Sequence, residues 1–228
     1  MAADKMEFAG VRRRSRTWTR LRWPLAFAAR ATFPSREYLC VANGAGPVLA
    51  AAAARAALGR EAPGKVVSVG YCGGLDPTLR PGDLFLAARV EAIGQKISYT
   101  LQLPWSSRPV RSGVLISMDR VAHSAREKGS LGALGAHAVE METAGVAAEA
   151  ERLGVPCYCV RAVTDGADET FAIDFNRCRR SGGRIDYSRV FLRAMANPFQ
   201  ALPQLIRLRV RSWRAAEALG EYLADCRF

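Results

Sequence analysis

The chain has little that would commit it to metal, disulfide or membrane-spanning chemistry. Only two of its 228 residues are histidine, His123 and His137. Cys157 and Cys159 alternate on a candidate strand and would point to one face. With no second cysteine pair nearby, buried thiols are the better reading than a metal pair. No run of eighteen uncharged apolar residues occurs, so no membrane-spanning helix is expected. The N-terminus lacks the apolar stretch of a signal peptide, and thiols set inside apolar runs suit a reducing, cytoplasmic setting. A Walker A sequence is missing. The turn "NGAGP", with Gly44, Ala45 and Gly46, lacks the third glycine of a dinucleotide fingerprint, because Leu49 stands there. Internal repeats, low-complexity segments and domain linkers are also missing, so residues 1–228 read as one domain. Aromatic residues do not interleave with the basic ones, which argues against a nucleic-acid partner.

What the chain does have is apolar mass and positive charge. Half its residues are hydrophobic, enough for a sizeable core, and the formal net charge is +12. The charge is uneven. Residues 8–36 hold eight arginines and no acid, and from Arg189 onward seven arginines face three acids. A solvated arginine-rich surface accounts for such blocks first, and contact with a membrane surface second.

Apolar strands alternate with helices. Glu37 to Asn43 reads as a strand, followed by a glycine turn and an alanine-rich helix to Arg60. Val66 to Gly70 is the next strand, and "GYCGGL" after it reads as a glycine turn. Further strands follow at "GDLFLAARVEAI", "VRSGVLISM", "AHAVEME" and "CYCVRAV". Helices are expected over Ser124 to Leu134 and Thr143 to Leu153. The residues from 189 to 228 form a basic helical extension interrupted near Pro198 and Pro203. This alternation implies an α/β fold, a three-layer sandwich around a mixed, mostly parallel sheet.

Such sheets bind ligands beyond the carboxyl ends of their strands. Glu140 and Glu142 end one strand around Met141; Thr164, Asp165 and Asp168 end the next. A carboxylate at a helix N-terminus explains one of these acids through the helix dipole. It does not explain two flanking a methionine, since carboxylates resist burial unless paired or used.

The stretch "AVEMETAGVAAEAERLGVPCYCVRAVTDGADE", together with "SVGYCGGLDPTLRPGD", "NGAGPVLAAAAA" and "AADKMEFAG", resembles the nucleoside phosphorylase and nucleosidase superfamily over most of residues 2–168. The resemblance implies cleavage of the N-glycosidic bond of an adenine-type nucleoside. Asp165 would be the general acid toward purine N7, and Glu7 would orient or deprotonate a water. Glu142 would accept from the ribose hydroxyls, with Met141 against the sugar. Gly70, Tyr71, Cys72 and Gly73 would line the base and nucleophile pocket with Val121, Glu140, Thr164 and Arg161; Gly44, Ala45 and Gly46 would lie near the nucleophile. Val121 stands where nucleosidases carry a stacking phenylalanine, and Ser68 and Tyr71 replace the phosphate-binding arginine and serine of hexameric purine phosphorylases. Arg13, Arg14 or Arg36 would then supply phosphate contacts. The family's first strand would precede Ala3, where this sequence has Met1 and Ala2.

No cofactor is implied; phosphate or water would accept the ribosyl group. A homo-oligomer is implied too. Beyond Asp168, "DETFAIDFNRCRRSGGRIDY" and the basic tail are similar to phosphorylase-like proteins of hopanoid biosynthesis, which implies an adenosylhopane-type substrate and peripheral membrane contact. The reading from another class is a non-catalytic nucleoside-binding protein that kept the pocket and lost the chemistry.

Overall fold

The computed structural model describes residues 1–180 and 185–228. The resemblance of the C-terminal part runs through residues 181–184, which lie outside the described residues. After a short turn at Lys5–Phe8 come α1 (Ala9–Arg14) and an antiparallel sheet of β1 (Thr17–Arg20), β2 (Phe27–Phe33) and β3 (Arg36–Ala42). The remaining order is α2 (Pro47–Glu61), β4 (Val66–Gly74), β5 (Leu84–Ala92), β6 (Ile97–Thr100), β7 (Arg111–Ser117), α3 (Ala125–Gly132), β8 (Ala138–Glu140), α4 (Thr143–Arg152), β9 (Cys157–Asp165), α5 (Tyr187–Ala196) and α6 (Pro198–Asp225).

The fold is the expected mixed α/β type. Six strands form a second sheet in the order β6-β5-β7-β8-β4-β9. Its two longest pairings, β4 with β9 and β5 with β7, are parallel. Antiparallel pairing of β5 with β9 folds the sheet back on itself. Met1 and Ala2 stand between the sheets: Ala2 bridges Ala42 in parallel, and Val69 donates to the Met1 carbonyl. Beside them β3 and β4 part around a cavity of about 130 Å³ that Tyr38, Cys40, Leu58 and Val67 help to line.

Three local expectations change. The glycine turn after Gly70 is not a turn, since β4 continues through Gly74. The arginine-rich segment contains the β1–β2 hairpin, whose strands alternate too weakly to stand out among its arginines. Pro203 lies inside α6 without ending it, so the extension breaks once, at Asn197.

All six cysteines are buried and free. The second core cluster joins both sheets to α6 through Phe8, Phe33, Val160, Leu219 and Leu223. Gly10 and Gly220 let α1 and α6 touch backbone to backbone, because a Cβ on either would collide with the other helix. Of the described residues, no helix is long and apolar enough to cross a membrane.

Candidate active site

Arg161 is fully buried in the middle of β9, opposite Gly70 of β4. Burying a guanidinium is costly without close partners, and here they are supplied. Nη2 donates to Glu140, to Ser68 Oγ at 2.8 Å and to Thr143 Oγ1 at 2.7 Å. Nη1 stands 3.8 Å from Glu142 Oε2. Burial works against the Arg161 charge, but Glu140, Glu142 and Glu7 outweigh it and its pKa is raised.

Glu140 and Glu142 have different tasks. The Glu140 carboxylate accepts from the backbone N–H groups of Glu142 and Thr143, both at 2.9 Å, and from Thr143 Oγ1. It caps the start of α4 and pairs with Arg161. Glu140 and Arg161 are expected in the pocket lining; Glu140 and Nη2 of Arg161 are spent on this internal network, while Nη1 and Nε of Arg161 have no hydrogen-bond partner among the described residues. Glu142 keeps a lighter set of contacts, accepting from Gly46 N–H at 3.2 Å. Burial first, and Glu140 second, push its carboxyl pKa up against the pull of Arg161. Met141 is buried between the two glutamates.

Glu7 reaches the same region from the N-terminal turn. Asp4 caps that turn, and Glu7 Oε2 accepts from Ala3 N–H at 2.9 Å. Gly44 N–H in turn donates to the Ala3 carbonyl at 2.9 Å, so the Gly44, Ala45 and Gly46 loop ties Glu7 to Glu142. Burial lifts the Glu7 carboxyl to about 7. A Cβ on Gly70 would collide with Arg161 and come within 3.0 Å of Glu7 Oε2. One on Gly73 would lie 2.8 Å from Asp165 Oδ2. Each glycine clears room for one carboxylate, which accounts for glycine inside a strand.

Asp165 ends β9. Its Oδ1 accepts from Thr164 Oγ1 at 2.8 Å, and Oδ2 from Lys128 Nζ at 2.5 Å. Lys128, fully buried on α3, also donates to the Gly166 carbonyl at 2.7 Å. Burial raises the Asp165 pKa and Lys128 opposes the rise. Lys128 is a residue that sequence reasoning missed. A lysine in a short polar helix carries no mark of burial, although Leu131 one turn on shares its buried face.

Other expected residues are placed less centrally. The Cys72 side chain belongs to the main core, and its carbonyl accepts from Thr164 Oγ1 at 3.3 Å. Tyr71 is half-buried; burial first, then Glu7 and Asp4, raise its pKa. Val121 is held by both ends of the Asn176 amide, at 2.8 and 2.9 Å. Arg13 and Arg14 pair with Glu217 of α6, and Arg36 bonds the Cys226 carbonyl. The three arginines expected at a phosphate are thus spent on the α6 side, on Glu217 and on the Cys226 carbonyl past the helix end. Arg179, also missed, donates to the Asp119 and Ala45 carbonyls at the rim of the "NGAGP" loop.

A family model described as Phosphorylase superfamily matches residues 28–104 and 88–185. The aminodeoxyfutalosine nucleosidase of Helicobacter pylori strain J99 is 35% identical over 89 residues, 39% of this chain. That match spans only 38% of the relative's length. A 5′-methylthioadenosine/S-adenosylhomocysteine nucleosidase from Neisseria meningitidis, solved with methylthio-immucillin-A, superposes with a TM-score of 0.73 at 18% identity over 98% of this chain and 94% of that one. The futalosine hydrolase of Helicobacter pylori strain 26695 gives 0.72 at 17% identity over 97% and 94%. At those identities the likeness is one of fold.

Proposed function

The chain belongs to the Phosphorylase superfamily, and on that premise we propose that it hydrolyses the N-glycosidic bond of an adenine-type nucleoside. The observation that carries this reading is the pair of glycine clearings on β4. Gly70 opens onto Glu7 and Gly73 onto Asp165. They are three steps apart along the strand, roughly 10 Å at about 3.3 Å per residue, the right order of length for a sugar between an acid and a base.

In the proposed reaction the bond from C1′ to the base nitrogen breaks and its electron pair leaves with the base. Asp165 gives that base a proton. Burial favours the proton on Asp165, against the opposing pull of Lys128. Glu142 accepts from the ribose hydroxyls as positive charge grows on the sugar. Glu7, ionised above about pH 7, takes the proton of the attacking water.

Water is favoured as acceptor by the firm seating of Glu7 and by the nucleosidase activity named for the relative that matches locally. Arg179 at the loop rim favours a second reading, phosphorolysis. The C-terminal resemblance favours a lipid-bearing 5′ substituent of the adenosylhopane type, and the family resemblance a homo-oligomer.

The test is chromatography after incubation with adenosine, methylthioadenosine, aminodeoxyfutalosine and an adenosyl-lipid, each with and without phosphate. Free adenine under both conditions is the expected result. Adenine only with phosphate would make the protein a phosphorylase. Ligand-induced thermal stabilisation with no free base from any substrate would make it a non-catalytic binder.

A further inference from the structure

We infer that the outer face of α5 and the first half of α6 is a docking surface for an anionic lipid bilayer. None of the residues from Leu202 to Arg214 is buried: this half of α6 lies on the surface, held to the body by Leu205, Gln204 and Arg211 on its inner side, while the second half packs into the core. Its exposed apolar residues are Phe199, Leu202, Ile206, Val210 and Trp213. Their spacing of three and four residues puts them within an arc of about 80° on a helix of 3.6 residues per turn. Phe199 is 91% exposed and Trp213 53%. On α5, Phe191, Leu192 and Met195 are exposed as well, while Val190 and Ala194 face inward.

The charges select the occupant. Between Arg189 and Arg214 there are six arginines and no acidic residue. By helical position, Arg207 and Arg214 flank the stripe on one side and Arg209 on the other. A second copy bringing the same face would set Arg207, Arg209 and Arg214 against the same arginines, with no acidic residue on this half of α6 to offset them. An acidic headgroup layer meets the arginines while the aromatic and aliphatic residues enter its apolar edge, as interfacial helices do. Each arginine near such a surface contributes on the order of 1 kcal/mol, so several together with the stripe suffice for binding. Arg211 alone turns inward, donating to the Glu169 carboxylate at 2.8 Å and to the Thr164 carbonyl at 3.4 Å. The docking face is therefore tied to the strand end that carries Asp165. The inference stands on the surface and not on the proposed reaction.

Co-sedimentation with phosphatidylcholine vesicles, with and without phosphatidylglycerol, tests it. The full-length protein should sediment with the phosphatidylglycerol vesicles, with Trp213 emission shifting to the blue. The charge-reversed variant Arg207→Glu/Arg209→Glu/Arg214→Glu should bind at least roughly tenfold more weakly. The variant Phe199→Ser/Ile206→Ser/Trp213→Ser changes no buried residue, and should lose vesicle binding while keeping the melting temperature of the parent. Failure to sediment with phosphatidylglycerol vesicles at low salt would overturn the inference. So would a fall in solution mass of the serine variant, which would make the face a contact between copies. Duplex DNA binding as tight as vesicle binding, and unchanged by the serine substitutions, would overturn it too, leaving a general polyanion surface.

Discussion

Asp165 has both carboxylate oxygens occupied, one by Thr164 and one by Lys128. Replacing it with asparagine keeps the shape but removes the transferable proton. Asp165→Asn should lower adenine release by roughly a hundred- to ten-thousandfold with the far-ultraviolet circular dichroism unchanged; full activity in that variant would sink the role. Removing the cation has the opposite effect on the proton. In Lys128→Met the Asp165 carboxyl loses the group that opposes its rise, so the basic limb of the kcat/KM profile should move to higher pH. Lys128→Arg should restore the limb, which a merely structural lysine would not require. Glu7 links pH to stability. Its pKa is raised from 4.5 to about 7 by burial, so the folded state holds a proton that the unfolded state releases. Stability is then fully present below about 4.5 and is lost as pH climbs through 7, by roughly 3 kcal/mol at about 1.4 kcal/mol per unit. Glu7→Gln should remove that slope in chemical denaturation and be the more stable protein at pH 8, while losing turnover. A parallel slope in both proteins would show that Glu7 is not the group responsible.

At the scale of elements, the site is assembled by contacts that leave no room for a side chain. The helix α6 reaches the N-terminal turn through the Gly10–Gly220 crossing, and that turn carries Glu7. Gly220→Ala should therefore cost stability by the amount typical of overpacking, about 1–3 kcal/mol, and should lower activity through Glu7 as well. Denaturant midpoints and kcat measured on the same preparation check both; a stability loss with unchanged kcat would mean that the crossing does not position Glu7. The glycines of β4 follow the same logic. In the sequence they look like turn residues, because glycine so often marks a turn. Their reason lies across the sheet, where Arg161, Glu7 and Asp165 occupy the space a Cβ would take.

Over the whole molecule, one core joins both sheets to the second half of α6, and the first half of that helix contributes no buried residue between Leu202 and Arg214. Local opening energies track buried apolar contact. Amide hydrogen exchange should accordingly be much faster over 202–214 than over 215–225 in the free protein. Equal protection of the two halves would contradict this difference in burial. The sequence by itself determined the alternation of strands and helices and the burial of the cysteines, because hydrophobic periodicity is a local property; Glu7, Glu142 and Asp165 were named as site residues through the family resemblance that its short motifs carry. It did not reveal the β1–β2 hairpin, which arginines obscure, nor the partnership of Lys128 with Asp165, which joins residues 37 positions apart. Nor did it separate Glu140, a capping and pairing residue, from Glu142, two positions along the same motif. Those outcomes were decided by tertiary structure, since which buried charge meets which depends on how strands and helices pack in three dimensions, and low-dielectric pairing is settled only by contact.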